Sequence, residues 1–360
     1  MNRISQLQLF AVMLCGHAFS LMTFFPYTFD NPSEYMIGVL ISTVIEIFLA
    51  VPAVIIYKRF EGRDPCSLAG ESSRALKTTA GIFYTFVFFY FAYRVTGNFV
   101  YFLDSVLSGY FPRALVVVSV CATAVYLGLM KPSVIGKTSG IMLTLFALFT
   151  VLVIGSSFSS TGSGFLSFHL ASENISHGIG EAVKCELLRN LDMLFLLFFL
   201  PKLKGSPVRV STLYLGVKLI MVELSVGFVT VMLGDFAMIS KLPFSSMASY
   251  STSSMIERFD AAFMAVWVIL AIVRLGAVFH CSADCIQAVI PRADRTVSVV
   301  ISAAIPAAAA VYKLTNYEWE STAYDMNGWL ITVTAMLFVP LMISAFVLLR
   351  ERRRADVRGA

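Results

Sequence analysis

The chain has 360 residues, of which 58% are hydrophobic and 14% charged, and its mean hydropathy is +0.80. A soluble protein is roughly 45–50% apolar and about 25% charged, so these values argue against a soluble domain, a disordered chain and a nucleic-acid-binding protein. The formal charge of +5 is typical of membrane proteins that keep lysine and arginine in their cytoplasmic loops. We therefore expect a protein embedded in the lipid bilayer.

Ten apolar runs follow one another along the chain, each long enough to cross a bilayer as a helix. They cover approximately Gln6–Tyr27, Tyr35–Tyr57, Thr78–Leu103, Pro112–Met130, Thr138–Gly155, Ile175–Leu200, Val210–Leu233, Phe259–Val289, Thr296–Tyr312 and Gly328–Leu349. Runs of this length are too long for the strands of a membrane barrel. The sequence therefore predicts an all-α polytopic membrane protein with ten transmembrane helices, in a single domain over residues 1–360.

Basic residues concentrate in every second connection between the predicted spans. They are Arg3; Lys58, Arg59, Arg63, Arg74 and Lys77; Lys131 and Lys137; Lys202, Lys204 and Arg209; Arg292 and Arg295; and Arg350, Arg352, Arg353, Arg354 and Arg358. Since positively charged loops stay on the cytoplasmic side, this alternation predicts an even number of spans and cytoplasmic N- and C-termini. Residues 350–360 would form a basic cytoplasmic tail that anchors the topology at anionic lipids.

Spans one and six are interrupted by polar residues or glycine. Span one contains Cys15–Ala18 in the middle of its apolar run, and span six carries Glu186–Asp192 before a purely apolar end. Interrupted helices in corresponding positions of two five-helix halves predict a 5+5 inverted-repeat fold of the leucine-transporter type, with discontinuous helices 1 and 6. The repeats would cover about residues 6–155 and 175–349. The alternative is that span six begins late and its charges lie at the membrane surface.

In an inverted-repeat fold the ligand binds near the bilayer midplane, beside both breaks. The candidate ligand-binding residues at these breaks are Gly16, His17 and Ser20 in span one, and Arg189 and Asp192 in span six. Glycine inside a helix costs roughly 1 kcal/mol relative to alanine, so Gly16 suggests either local unwinding or a close contact with another helix.

Other ionisable residues also fall inside predicted spans, where each costs roughly 2.5–3.5 kcal/mol at the bilayer centre. They are Glu46, Arg94, Lys218, Glu223 and Arg274. Arg94 and Asn98 are one helical turn apart and form a polar stripe, so both are candidates for ligand binding. We expect Lys218 and Glu223 to pair with residues on other helices. The alternative is that all these charges pair with one another and only fix the helix packing.

The sequence contains no motif of an enzyme: no Gly-rich phosphate loop, nucleophile elbow or zinc-binding HExxH. The segment His280–Cys285 holds residue types that bind metals, but packing of small residues near a helix end explains it better. We expect no metal and no cofactor. The six cysteines fall in or beside apolar runs, so we expect them to act as small buried hydrophobic residues.

The connection 234–257 includes Pro243 and a serine-rich stretch, and it is long enough for a short surface helix. At its end Glu257, Arg258 and Asp260 begin span eight. The two acids favour the positive end of the helix dipole, whereas a cation at this position is disfavoured. These three residues are therefore a cap of span eight or an external gate or partner contact.

Several stretches match the pattern of one family of membrane proteins. The most specific is Lys241–Phe244 followed by Ile256–Ala261 and Trp267, where an Arg and an Asp flank one hydrophobic residue before the tryptophan. Matches also occur at Ile4–Phe10, Pro26, Tyr57–Phe60 and Pro201-Lys202. With these stretches the chain resembles the endospore germination permeases, the B subunits of Ger-type spore germinant receptors, within the amino acid–polyamine–organocation superfamily. Span one departs from the family's Gly-rich turn, because only Gly16 is present there.

The resemblance implies a germinant-sensing subunit in the inner membrane of a bacterial spore. Such a subunit would bind a small nutrient, most simply an amino acid, and act together with a receptor A subunit and a lipoprotein C subunit. The alternative is an amino acid secondary transporter, because the same pocket could serve uptake by alternating access. A third reading is an assembly scaffold without a working pocket. The lipid bilayer is a partner in every case, and nucleic acid is not.

Overall fold

The structure, a computed structural model, describes residues 3–23, 32–60, 62–107, 112–158, 175–234, 240, 242–250, 259–316 and 328–359. Within these ranges the chain is almost entirely helical. The helices are α1 (Gln6–Thr23), α2 (Pro32–Arg59), α3 (Pro65–Ser72), α4 (Arg74–Leu107), α5 (Arg113–Leu129), α6 (Pro132–Phe158), α7 (Ile175–Arg189), α8 (Leu194–Phe199), α9 (Pro207–Leu233), α10 (Pro243–Tyr250), α11 (Phe259–Val289), α12 (Arg295–Asn316), α13 (Trp329–Val333) and α14 (Val339–Gly359). A π-helical turn, Thr334–Phe338, joins α13 and α14 into one long helix.

Eight helices of the described chain are long and apolar enough to cross a membrane: α1, α2, α4, α6, α9, α11, α12 and the continuous helix that starts at Trp329. Helix α5 is apolar but shorter, with 17 residues. Large apolar side chains such as Phe48, Phe86 and Leu148 are exposed on the outer faces, as expected where a helix meets lipid. The protein is therefore an all-α, multi-pass membrane protein, and the count of ten crossings stays a prediction.

Span six is interrupted as the sequence predicted. Helix α7 ends at Arg189, a 3-10 turn follows over Asn190–Met193, and α8 then runs to Phe199. A second 3-10 turn over Leu200–Lys202 ends the segment. The first turn thus contains two polar residues, Asn190 and Asp192, whereas α8 between the two turns is apolar and completely buried.

The predicted break in span one was wrong, because α1 is a continuous helix through Gly16. A Cβ atom on Gly16 would lie 2.6 Å from Cγ of Asp192 and still closer to one of its carboxylate oxygens. The glycine therefore makes room for a side chain of the interrupted helix, while the backbone of α1 keeps its helical hydrogen bonds. Of the two sequence-based explanations for Gly16, close contact is the one that this geometry supports.

Two small elements near the predicted cytoplasmic end were absent from the sequence-based assignment. Ile4–Ser5 pairs in parallel with Leu203–Lys204, which fastens the start of the chain to the exit of the interrupted helix. Helix α3 begins after Asp64, whose Oδ1 accepts hydrogen bonds from the backbone N–H groups of Cys66 and Ser67 at 3.0 and 2.9 Å. An aspartate before a proline is a common N-terminal signal of a helix.

Helix α11 is central to the bundle, where it packs against α1, α4, α5 and α12. Its Trp267 is fully buried, with its ring centre 4.7 Å from that of Phe99, 4.0 Å from that of Phe102 and 5.3 Å from that of Phe19. The indole N–H donates to Thr23 Oγ1 at 2.8 Å, so the polar atom of this tryptophan is satisfied. The predicted surface helix is also present, since α10 packs against α9 and α11.

Candidate ligand-binding site

Six of the ionisable residues predicted inside the spans are buried where α1, α2, α9 and α11 surround the interrupted helix. None of them is more than 7% exposed. They are Glu46 on α2, Glu186 and Arg189 on α7, Asp192 in the 3-10 turn, Lys218 on α9 and Arg274 on α11. Charges at this depth must be paired, and the six residues form two groups of ion pairs.

The first group contains the Lys218 ammonium and two carboxylates. Lys218 Nζ donates to Glu46 Oε1 at 2.6 Å and to Glu46 Oε2 at 2.8 Å. It also lies 3.3 Å from Oε2 of Glu186. The prediction that Lys218 pairs with a residue on another helix is confirmed, and one ammonium group connects α9 with both α2 and α7.

The other oxygen of Glu186 is held by two donors. Its Oε1 accepts a hydrogen bond from the Tyr35 hydroxyl at 2.5 Å and one from Arg189 NH1 at 2.8 Å. Arg189 NH1 also donates to the Tyr35 oxygen at 2.6 Å. Glu186 therefore has two cations beside it, and Tyr35 joins α2 to the end of α7.

The second group is a two-pronged ion pair between Arg274 and Asp192. Arg274 Nε donates to Oδ1 of Asp192 at 3.0 Å, and NH2 donates to Oδ2 at 2.7 Å. The remaining terminal nitrogen of Arg274 donates to the hydroxyl of Ser20 on α1. The guanidinium carbon lies 4.8 Å from the ring centre of Phe91. The 3-10 turn is thus tied to α11 and α1 together.

Between the two groups, the ring of His17 is fully buried, and neither of its nitrogens has a hydrogen-bond partner in the described part of the chain. Next to this ring, Oε2 of Glu186 lies 3.3 Å from Lys218 Nζ, and the amide of Asn190 lies beside Glu46. His17 Nε2 is 3.8 Å from Glu186 Oε2, which is too far for a hydrogen bond. The side-chain oxygen of Asn190 is satisfied by the Tyr214 hydroxyl. An unsatisfied buried polar group costs roughly 1–3 kcal/mol, so the two ring nitrogens of His17 need an explanation.

The structure brings five of the sequence-predicted site residues together: Gly16, His17, Ser20, Arg189 and Asp192. Of the predicted α4 residues, Arg94 is buried and Asn98 half-buried, and both make interactions of their own. Glu257 and Arg258 lie outside the described residues. Asp260 belongs to the first turn of α11, but its side chain is outside the described part.

Sequence reasoning missed Tyr35 and Tyr214, which complete the hydrogen bonding of Glu186 and Asn190. Both tyrosines lie in apolar stretches, where their rings contribute to packing as any aromatic ring does. No signal in the sequence separates a tyrosine whose hydroxyl is buried against a carboxylate from one whose hydroxyl reaches the membrane surface.

A third group of charges, outside the site, holds the far end of α8. Lys202 Nζ donates to Asp284 Oδ2 at 2.9 Å and lies 3.2 Å from His280 Nε2. Arg295 pairs with the other oxygen of Asp284, and His280 Nδ1 is 3.0 Å from the carbonyl oxygen of Gly128. The predicted metal-like segment is therefore engaged in ion pairing and packing. Among the described residues no group of three or more His, Cys, Asp or Glu could hold a metal ion.

These pairs fix α8 at both ends to α11. Asp192 precedes α8 and pairs with Arg274, whereas Lys202 follows it and pairs with Asp284. Asp192 and Lys202 are as far apart in the sequence as their partners Arg274 and Asp284. The segment with α8 and helix α11 therefore run side by side in the same direction. Both ends of the segment that contains α8 are therefore joined to the same helix, α11.

Asp284→Asn is expected to lower stability by about 1 kcal/mol, because it leaves Lys202 and Arg295 close together without the carboxylate between them. The Tm of the purified protein measures this loss. Asp294→Asn is the matched control, since Asp294 caps α12 through Oδ2, which is 2.9 Å from the Thr296 amide, and asparagine caps equally well. Equal Tm values for the two variants would contradict the role given to Asp284.

The residues of this site lie within a region that matches a known protein family. The sequence model of the family described as spore germination protein matches residues 4–318, which include both ion-pair groups and the interrupted helix. The chain belongs to this spore germination protein family. The matched region contains every residue of the site, from Gly16 to Arg274, and ends before the last helix. The search of curated proteins gave no match.

Proposed function

We propose that the chain is the membrane-embedded, germinant-sensing subunit of a spore receptor and that it binds a small nutrient at the buried junction of α1, α7, the 3-10 turn and α9. The observation that carries this proposal is the pair of buried His17 ring nitrogens, which have no hydrogen-bond partner among the described residues and lie beside Glu186 at the polar turn. A polar ligand with hydrogen-bonding groups would satisfy them. The family supplies the link to germination.

The site is suited to sensing because it lies at a break in a helix that is fixed at both ends. A ligand shifts a conformational equilibrium only by its different affinity for the two states. Hydrogen bonds to Asn190 would depend on the shape of the 3-10 turn, and that turn is joined to α11 through Asp192. Ligand binding would then change how α8 sits against α11.

We also propose the number and the orientation of the membrane crossings that the sequence predicts. In this account α5 and the α7–α8 segment supply two further crossings, which makes ten in a 5+5 arrangement with cytoplasmic termini. The apolar α5 has 17 residues, at the lower limit for a span. The subunit would reside in the spore inner membrane and act with the receptor A and C subunits.

The second candidate function is secondary transport of a small nutrient, which the interrupted helix also favours. Deleting the gene separates the two. A sensor predicts that mutant spores no longer germinate in response to one nutrient out of a panel of amino acids, sugars and nucleosides, while uptake of that labelled nutrient by growing cells is unchanged. Unchanged germination with lost uptake would replace the sensor by a transporter.

A further inference from the structure

We infer that Glu223 on α9 is a proton-binding site inside the membrane, where its side chain carries a proton at neutral pH and is a neutral carboxylic acid. This inference goes beyond the proposed function, because it holds for a sensor and for a transporter alike. Three observations support it: the depth of Glu223 in its helix, the hydrogen bonding of its buried oxygen and the sign of the charge that acts on it.

Glu223 lies near the middle of a helix that is long and apolar enough to cross a membrane. Helix α9 has 27 residues, and its middle residue is Ile220. At a rise of 1.5 Å per residue, Glu223 is about 4.5 Å from that point along the helix axis. In a helix that crosses the bilayer, this position is in the hydrocarbon region, where a carboxylate is costly unless a partner stabilises it.

No such partner is present in the described part of the chain. Oε1 of Glu223 is buried, and no described group donates a hydrogen bond to it. Lys218, five residues earlier on the same helix, donates to Glu46 and lies beside Glu186. The expected pairing of Glu223 with another helix is therefore not met among the described residues. A buried carboxylate without a cation is strongly unfavourable, whereas a protonated carboxyl group carries no charge.

The charge that acts on Glu223 is negative. Glu186 on α7 is within electrostatic reach of Glu223. Two carboxylates this close repel each other, and a proton on one of them removes the repulsion. Glu186 is the one that stays ionised, because Arg189 and Lys218 lie beside it. The proton therefore belongs on Glu223.

The helices packed against α9, which are α1, α2 and α10, place no counter-ion at Glu223. Apart from cysteine and the cytoplasmic end of α2, the ionisable side chains described on these helices are His17, Glu34, Tyr35 and Glu46. Glu46 is bound to Lys218, and the Tyr35 hydroxyl donates to Glu186. The His17 ring lies 3.8 Å from Glu186. Among the described residues, Glu223 thus has only Glu186 as a charged neighbour.

A proton on Glu223 is a second input to the junction besides a nutrient. Glu186 connects the two, because it acts on Glu223 and also lies beside His17. If nutrient binding changes the contacts of Glu186, it also changes how firmly Glu223 holds its proton, and the coupling is equal in both directions.

Infrared difference spectra of the purified full-length chain in lipid nanodiscs test the inference. A protonated carboxyl group has a C=O stretching band that a carboxylate lacks, so the spectrum of the wild type minus that of Glu223→Gln isolates this one side chain. We expect the band of a protonated carboxyl group at neutral pH. Carboxylate bands in its place would overturn the inference, whether the carboxylate is free or holds a metal cation.

Glu181→Gln is the matched control for this measurement. Glu181 is paired with Lys184 at 2.7 Å and is only partly buried, as Glu223 is. The spectrum of the wild type minus that of Glu181→Gln should therefore contain carboxylate bands alone.

A second measurement uses the wild-type chain and does not depend on the folding of a variant. Dicyclohexylcarbodiimide is an apolar reagent that reacts with protonated carboxyl groups: the carboxyl proton moves to a nitrogen of the reagent, and the carboxyl oxygen bonds to its central carbon. We expect peptide mass spectrometry to find the reagent on Glu223 and not on Glu181, with slower labelling as the pH is raised. A chain in which Glu223 stays unlabelled would contradict the inference.

Discussion

Lys218→Met is expected to give the largest loss of folded protein among single substitutions in the site. Met fills a similar volume but leaves Glu46 without a cation and Glu186 with Arg189 alone. Removing one partner of a buried ion pair costs about 3–5 kcal/mol, because the other charge stays buried and unpaired. The amount of protein in the membrane and the Tm of the purified chain measure the effect.

A second substitution identifies the cause. Glu46→Gln combined with Lys218→Met restores the balance of charges, since Glu186 and Arg189 then remain as one pair. We expect the double variant to be clearly more stable than Lys218→Met alone. Lys204→Met is the matched control, because this lysine is exposed. If the double variant were no more stable than the single one, the loss would come from packing rather than from an unpaired charge.

Gly16→Ala is expected to be the most damaging change of a single methyl group in α1. The new Cβ would overlap the carboxylate of Asp192, which cannot move without giving up its hydrogen bonds to Arg274. Overpacking of a core costs about 1–3 kcal/mol, and breaking the Asp192–Arg274 pair would add to that. We expect a lower Tm and loss of the germination response, and a larger effect with Gly16→Val.

Gly140→Ala on α6 provides the comparison, because a Cβ there meets no atom within 4 Å. Gly140 is only partly buried, and alanine is better than glycine in a helix by roughly 1 kcal/mol, so this control should be neutral or slightly stabilising. Equal tolerance of alanine at both positions would show that Asp192 does not occupy the space beside Gly16.

Much of the helical architecture follows from local composition. The predicted second span, Tyr35–Tyr57, falls within α2, and a 3-10 turn over Asn190–Met193 lies at the end of the polar stretch in span six. Such features depend on the length of an apolar run and on polar residues within it, and both are visible in the sequence. The same holds for the short helix that follows Leu242.

The remaining features depend on contacts between distant parts of the chain. Gly16 is compatible with unwinding and with close contact, and only the position of Asp192, far along the sequence, decides between them. The pairing of Lys218 with Glu46 likewise depends on how α9 meets α2. A charge inside a span signals that a partner exists, but the residue that serves as partner is set by the tertiary fold.

His17→Phe separates a ligand-binding role of His17 from a structural one. A structural role predicts lower stability of the variant, whereas a ligand-binding role predicts equal or higher stability. Neither ring nitrogen of His17 has a hydrogen-bond partner in the described chain, so the substitution removes no hydrogen bond and should leave stability equal or higher. His280→Phe is the contrasting control. It removes the interactions of His280 with the Gly128 carbonyl and Lys202, and should therefore lower the amount of protein without changing nutrient affinity.

The most direct measurement is the germination dose–response curve of spores carrying His17→Phe, for the nutrient that the deletion panel identifies. Loss of one hydrogen bond to the ligand is worth about 1.4 kcal/mol or more, which is a tenfold change in affinity. We predict normal accumulation of the variant and a rise of at least about tenfold in the nutrient concentration for half-maximal germination. A variant that accumulates normally and gives the wild-type curve would contradict the assignment of the nutrient to this junction.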